Sequence, residues 1–185
     1  MKRRVFISAG HSDAPGKDNG ATGIDGIKEG ILTVDLRRLL IGELRLLNIH
    51  AISNSDALVL KDDVAMVNDI LDVRDIALDI HFNWYNNNKV RGTEVLIPFK
   101  SSDFERSFAA TLSKGIASIL NTNNRGVKTE VQSAHGTLLF MRPNCENILI
   151  EVCFISNTLD LDSYKLNKQS VAKFIATSLL NVITI

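Results

Sequence analysis

Short apolar runs alternate with longer segments of helical period along nearly the whole chain. Val5 to Ala9 is a compact apolar run that reads as a buried strand. From Lys28 to about Leu47, the residues Leu32, Leu36, Leu40, Leu44 and Leu47 recur on one helical face, while Asp35, Arg38 and Arg45 fall elsewhere. Ile49 to Ser53 reads as a second short strand, with His50 inside it as a packed or hydrogen-bonded core residue, and Asn54-Ser55-Asp56 as a turn. Val64, Val67 and Leu71 mark a helix between about Asp62 and Val73. Ile76 to Trp84 and Val90 to Pro98 read as strands, the latter with Val95 and Ile97 on one face. Phe104, Phe108, Leu112, Ile116 and Ile119 give a third helix, stopped by Asn121-Thr122-Asn123-Asn124. Gly126 to Gly136 reads as a polar loop carrying His135, and Thr137 to Met141 as a short strand. Asn147 to Ile155 is an apolar strand interrupted by one carboxylate, and Val171, Phe174, Ile175, Leu179 and Val182 line a C-terminal helix.

This alternation predicts a single α/β domain over residues 1–185: a mostly parallel twisted sheet of about six strands with helices on both faces. No internal repeat and no Pro/Gly/Ser-rich linker divides it.

Composition narrows the partners. Lys plus Arg and Asp plus Glu number 21 each, which removes the electrostatic case for nucleic acid or for an anionic membrane surface. Cys145 and Cys153 are too few for a disulfide framework and read as buried thiols. Met1-Lys2-Arg3-Arg4 is basic, but Val5 to Ala9 is too short for the apolar core of a signal peptide. No window approaches the roughly 18 apolar residues of a membrane span, so no membrane insertion is expected. A protein made in the cytoplasm, without an export signal, is the expectation.

Four residues bring chemistry to this scaffold. In mostly parallel sheets, sites form beyond the carboxyl ends of the strands. His11 follows the first strand and His81 ends a later one; Glu29 opens the first long helix and Glu151 interrupts the last strand. Two imidazoles and a carboxylate suit zinc, which leaves a fourth position for water in a catalytic site. A second, unliganded carboxylate could then move protons, and a glutamate in the company of Ile148-Leu149-Ile150 and Val152 should have a raised pKa unless paired. The bland alternatives are a solvated βα connection for His11, the helix dipole for Glu29, and a salt bridge to Arg142 or Arg91 for Glu151.

Five segments in order give the chain a family resemblance. Gly10-His11 with the polar loop to Asn19-Gly20-Ala21, Glu29 at the helix start, Ile80-His81-Phe82-Asn83, Arg91-Gly92-Thr93-Glu94-Val95 and Leu149-Ile150-Glu151-Val152-Cys153-Phe154-Ile155-Ser156-Asn157 resemble the zinc-dependent N-acetylmuramoyl-L-alanine amidases of the amidase-3 type. The resemblance covers nearly the whole chain. It departs from the family pattern at Asp79, where serine is usual, at Cys153, where glycine is common, and at Ser12-Asp13, where a glycine pair is usual. It implies a peptidoglycan hydrolase that cuts the amide between N-acetylmuramic acid and L-alanine. His11, Glu29 and His81 would hold Zn2+, Glu151 would be general base and then acid, and Asn83 and Ser12 would line the substrate groove. A wall substrate with no export signal is explained by a phage or prophage endolysin catalytic domain released through a holin-type partner, or by a mother-cell lytic enzyme, and no separate cell-wall-binding domain is visible. The same site chemistry would serve a zinc peptidase or deacylase acting on another wall amide. A catalytically silent wall-binding module is the remaining alternative.

Overall fold

The computed structural model describes residues 3–54, 60–133 and 136–183. Its strands are β1 (Val5–Ala9), β2 (Ala51–Ser53), β3 (Ile76–Asn83), β4 (Thr93–Ile97), β5 (Asn124–Thr129) and β6 (Glu146–Phe154). Its helices are α1 (Glu29–Leu46), α2 (Leu60–Ile70), α3 (Asp103–Ile119) and α4 (Thr158–Ile183). The six strands form one sheet in the order β2-β1-β3-β6-β4-β5. β2, β1, β3 and β6 run parallel, β4 runs antiparallel to β6, and β5 is parallel to β4. The predicted α/β sheet is therefore present, with one reversed pair at its edge.

Register sorts the two faces. Val5 and Ile7, Ile76, Leu78 and Ile80, and Ile148 and Ile150 point to one side. There they meet Leu32, Leu36, Leu40 and Leu44 of α1, Phe108, Leu112 and Ile116 of α3, and Val171, Ile175 and Leu179 of α4. The alternate residues Phe6 and Ala77 point to the other side, against Val67 of α2, Leu71 just after it and Phe140. Leu96 and Leu149 share that side with Met141. Beyond these apolar layers, toward the carboxyl end of β3, the second face turns polar at Asp79, His81 and Glu151. Three helices thus cover one face, while the other carries α2 and then an open polar strip.

Local chemistry accounts for several boundaries. Ser102 accepts from the Glu105 amide and the Glu105 carboxylate accepts from the Ser102 amide, a capping box that starts α3. Arg37, buried on α1, donates to the carbonyl of Asn54 at 3.1 Å and to its side-chain oxygen, which also accepts from the Ala9 amide at the end of β1. Asp160 in the first turn of α4 is fully buried. It accepts from the amides of Gly92 (2.7 Å) and Phe154 (3.1 Å), from Arg91 Nε and from Thr122 Oγ1, so one carboxylate joins β4, β6, α3's exit and α4.

Three expectations are corrected. The polar stretch expected as a loop holds the edge strand β5, because an edge strand with a solvated flank takes Arg, Lys and Gly without burial of a full apolar face. Residues 137–141, expected as a strand, carry a single 3₁₀ turn at Leu139–Met141 that drops Phe140 and Met141 onto the sheet as a plug. His50, expected in the core, is exposed just before β2. His135 and the Ser55-Asp56 part of the expected turn lie outside the described residues. Cys145 and Cys153 are free thiols, half-buried and buried. Among the described residues no helix is long and apolar enough to cross a membrane.

Candidate active site

Strand order brings four elements to one place. β1 delivers Gly10 and His11, β3 delivers His81 beside Glu151 of β6 in direct register, and β4 sets Glu94 opposite Glu151 on its other flank. Glu29 reaches in from the first residue of α1. The polar strip is therefore a row across the sheet, crossing four strands.

Glu29 is the hinge of this arrangement. Its Oε1 accepts from the Phe82 amide at 3.0 Å and lies 3.3 Å from His81 Nδ1. Its Oε2 accepts from the Ala21 amide at 3.0 Å and lies 3.5 Å from His11 Nε2. Burial alone would raise this carboxyl. The hydrogen bond to His81 and the charges of His81 and His11 outweigh that and hold it below its ordinary value. The imidazoles of His11 and His81 meet edge to face, 5.0 Å between centroids. His11, Glu29 and His81 offer ligand atoms that all lie within 4.8 Å of one another.

Two glycines make room for these rings. A Cβ on Gly10 would lie 1.9 Å from His81 Nε2, and one on Gly20 would lie 2.5 Å from Glu29 Oε2 and 2.7 Å from the His11 ring. Gly20 also has φ +66, which a side chain would strain. The loop between His11 and Glu29 is held by its own hydrogen bonds. The Ser12 amide donates to Asp18 O, Asn19 Nδ2 donates to Ser12 O, and Ser12 Oγ accepts from the Ala14 amide. Ser12 thus closes the loop on itself through its amide, carbonyl and hydroxyl.

Behind His81 stands Asp79, 1% exposed, with Oδ2 3.1 Å from His81 Nε2 and Oδ1 buried without a hydrogen-bond partner. Burial would depress the imidazole's proton affinity. The charge and hydrogen bond of Asp79, with Glu29 and Glu151 beside it, hold His81 well above its usual pKa instead.

Among the described residues Glu151 has no lysine or arginine partner. Arg142 lies 3.9 Å from Glu130 and Arg91 pairs with Asp160, so neither cation expected for it is spent there. Its Oε2 is buried and without a hydrogen-bond partner. Burial pushes this carboxyl up to about 8; His81 pulls it down, while Glu29, Glu94 and Asp79 add to the rise. Glu94, in contrast, receives Arg125 Nε and Lys128 Nζ at 2.6 Å each and Asn83 Nδ2 at 3.0 Å. Burial raises it, and the two cations hold it below its ordinary value.

Sequence reasoning placed His11, Glu29, His81 and Glu151, and the fold gathers all four. Asn83 is there too, its amide directed at Glu94, while Ser12 serves its own loop. Glu94, Arg125 and Lys128 were not assigned roles. Strand alternation opposite Val95 and Ile97 was the available signal for Glu94; Lys128 lay in the stretch read as loop, and Arg125 directly before it.

The set of two imidazoles and one carboxylate is a fit for a divalent metal. The three side chains converge from separate elements, and His11 Nδ1, 3.4 Å from Asp18, lacks a hydrogen bond of proper geometry. Coulombic crowding of buried carboxylates around two imidazoles also favours a cation there.

A family model described as N-acetylmuramoyl-L-alanine amidase matches residues 5–184. Among solved structures, Cwp6 from Clostridium difficile superposes with a TM-score of 0.83 at 24% identity, covering 99% of this chain and 30% of that one. The N-acetylmuramoyl-L-alanine amidase from Clostridium difficile 630 gives 0.80 at 22% identity, covering 97% and 96%. The catalytic domain of the CD27L endolysin targeting Clostridia difficile gives 0.74 at 23%, covering 97% of each. At these identities the likeness shows a shared fold. The chain spans less than a third of Cwp6 and nearly all of the other two. No curated protein matches it in sequence.

Proposed function

Because the chain belongs to the N-acetylmuramoyl-L-alanine amidase family, the peptidoglycan hydrolases that cut the amide between N-acetylmuramic acid and L-alanine, we propose that it carries out this hydrolysis with a zinc ion held by His11, Glu29 and His81. The observation that carries the reading is the pairing of that three-ligand cluster with an adjacent carboxylate, Glu151, whose buried Oε2 has no hydrogen-bond partner. Zinc at such a site polarises a carbonyl oxygen and brings the pKa of water toward about 7.

The chain's own residues do the rest. Glu29 sets the spacing of the two imidazoles, through the Phe82 and Ala21 amides that fix both its oxygens. Asp79 holds His81 by Nε2, leaving Nδ1 on the side of Glu29. Glu151 accepts the proton of the attacking water and returns it to the departing L-alanine amine, a task suited to a carboxyl whose burial brings its pKa near neutrality. Glu94, neutralised by Arg125 and Lys128, flanks Glu151 without competing for that proton.

Glu151→Ala separates the roles. The variant should keep one zinc per chain and lose release of L-alanine amino groups from purified wall. Equal loss of zinc would make Glu151 a ligand, and new reducing sugar ends in the wild-type digest would make the enzyme a glycosidase.

A further inference from the structure

β3 does not end at the metal cluster. Two residues beyond His81, Asn83 still faces Glu94, and the chain then runs into Trp84-Tyr85-Asn86-Asn87-Asn88. Trp84 is 49% exposed and Tyr85 56% exposed. Among the described residues, neither ring joins any of the three hydrophobic clusters. Leaving two neighbouring aromatic rings in water forgoes a large burial gain, and such a pair, three and four residues beyond His81, marks a binding surface.

The backbone under these rings is well held. The Tyr85 amide donates to Ser156 Oγ at 3.1 Å, and Asn157 Nδ2 donates to the Asn88 carbonyl. Ser156 and Asn157 are buried residues at the junction of β6 and α4. Within the loop, Asn87 Oδ1 accepts from the Lys89 amide and Asn87 O from the Val90 amide. The segment is anchored to the turn that follows the strand carrying Glu151, while its side chains are exposed. At ~3.3 Å per residue, Trp84 lies within about 10 Å of His81 along the chain.

We propose that Trp84 and Tyr85, with the amides of Asn86, Asn87 and Asn88, form the subsite for the glycan strand, the rings stacking on an N-acetylated hexopyranose and the amides binding its hydroxyl and acetamido groups. The inference rests on the amidase reading, which requires a sugar on the acyl side of the bond that is cut. Charge selects this occupant. The five residues 84–88 carry no charge, which suits a neutral sugar face. A carboxylate-bearing stem peptide would find no cation among these five residues.

Trp84 is the chain's single tryptophan, so its fluorescence reports this loop alone. The test titrates Glu151→Ala protein with a peptide-free tetrasaccharide of alternating N-acetylglucosamine and N-acetylmuramic acid, and separately with a sugar-free stem tripeptide. The expected result is a saturable change in emission with the tetrasaccharide and none with the tripeptide. Tyr85→Ala should weaken that binding by roughly fivefold to tenfold, and Trp84→Ala should raise KM on intact wall by a similar factor. An emission change with the tripeptide but not the sugar would reassign the loop to the peptide, and no change with either would remove it from the binding site. Both results overturn the proposal while wild-type release of amino groups from wall still stands. Failure of the amidase reading shows separately, as absence of that release.

Discussion

The unpartnered carboxyl of Glu151 has a thermodynamic signature that is independent of activity. In the metal-free protein its pKa rises from 4.5 to about 8, burial being the largest cause. The unfolded chain loses this proton near 4.5, whereas the folded chain keeps it until about 8. Over that window the folded state binds more protons, so the contribution of Glu151 to stability is fully present below about pH 4.5 and is lost as pH rises through 8. At about 1.36 kcal/mol for each pH unit, the whole interval sets a ceiling of ~5 kcal/mol. His81 titrates against the same carboxyl, so part of that interval belongs to the pair and the change assigned to Glu151 falls below the ceiling.

Glu151→Gln removes the titration while preserving shape. Urea unfolding of chelator-treated wild type and variant at pH 5 and pH 8.5 should therefore show the variant gaining on the wild type between the two conditions, by less than the ceiling of ~5 kcal/mol. Any constant offset from the amide itself cancels in that comparison. Parallel stability profiles, with a difference that does not move with pH, would refute the assignment of a raised pKa to Glu151. Repeating the series with zinc should shrink the effect, since a divalent charge beside the carboxyl favours its ionised form.

Two further outcomes follow from the geometry. Gly10→Ala places a methyl within 1.9 Å of His81 Nε2, and Asp79→Asn removes the charge behind the same nitrogen. Each should weaken zinc binding in a chelator competition by about 10–100-fold, the usual reach of a ligand's supporting residues; unchanged affinity would show that His81 is held by other means. Asp160→Ala should cost about 3–5 kcal/mol in urea unfolding, since it strands the Gly92 and Phe154 amides and leaves Arg91 without its counter-charge. A loss below 1 kcal/mol would mean water replaces the carboxylate.

The legible parts of the chain were those where periodicity and burial coincide. β1, α1, β3, α3 and β6 alternate or repeat apolar positions because each buries a full face, and their bounds fall within a residue or two of expectation. What escaped reading was structure whose stability comes from elsewhere. β5 pairs on one side only, so its Arg125, Gly126 and Lys128 look like loop residues. Phe140 and Met141 plug the sheet from a 3₁₀ turn, which leaves apolar residues in a strand-like run with no strand. The site divides in the same way. His11, His81 and Glu151 stood out as polar residues at the ends of, or within, apolar runs, and Glu29 as the start of the first helix. Glu94 was hidden by its ordinary position in a strand, because its role depends on β4 running antiparallel beside β6, a fact of topology that no local pattern carries.

That reversed strand matters to the chemistry. Glu94 and Glu151 sit directly opposite each other, and two neighbouring carboxylates with equal surroundings would share a proton between them. The surroundings differ because β5 follows β4 as a parallel neighbour: with glycine at position 126, in register with Glu94, the flanking Arg125 and Lys128 both reach the Glu94 carboxylate. The cations keep Glu94 ionised, and its negative charge adds to the burial that raises Glu151. The edge strand that reads as a loop in the sequence therefore helps decide which of the two glutamates carries the mobile proton. The proton stays on Glu151, the one in direct register with His81.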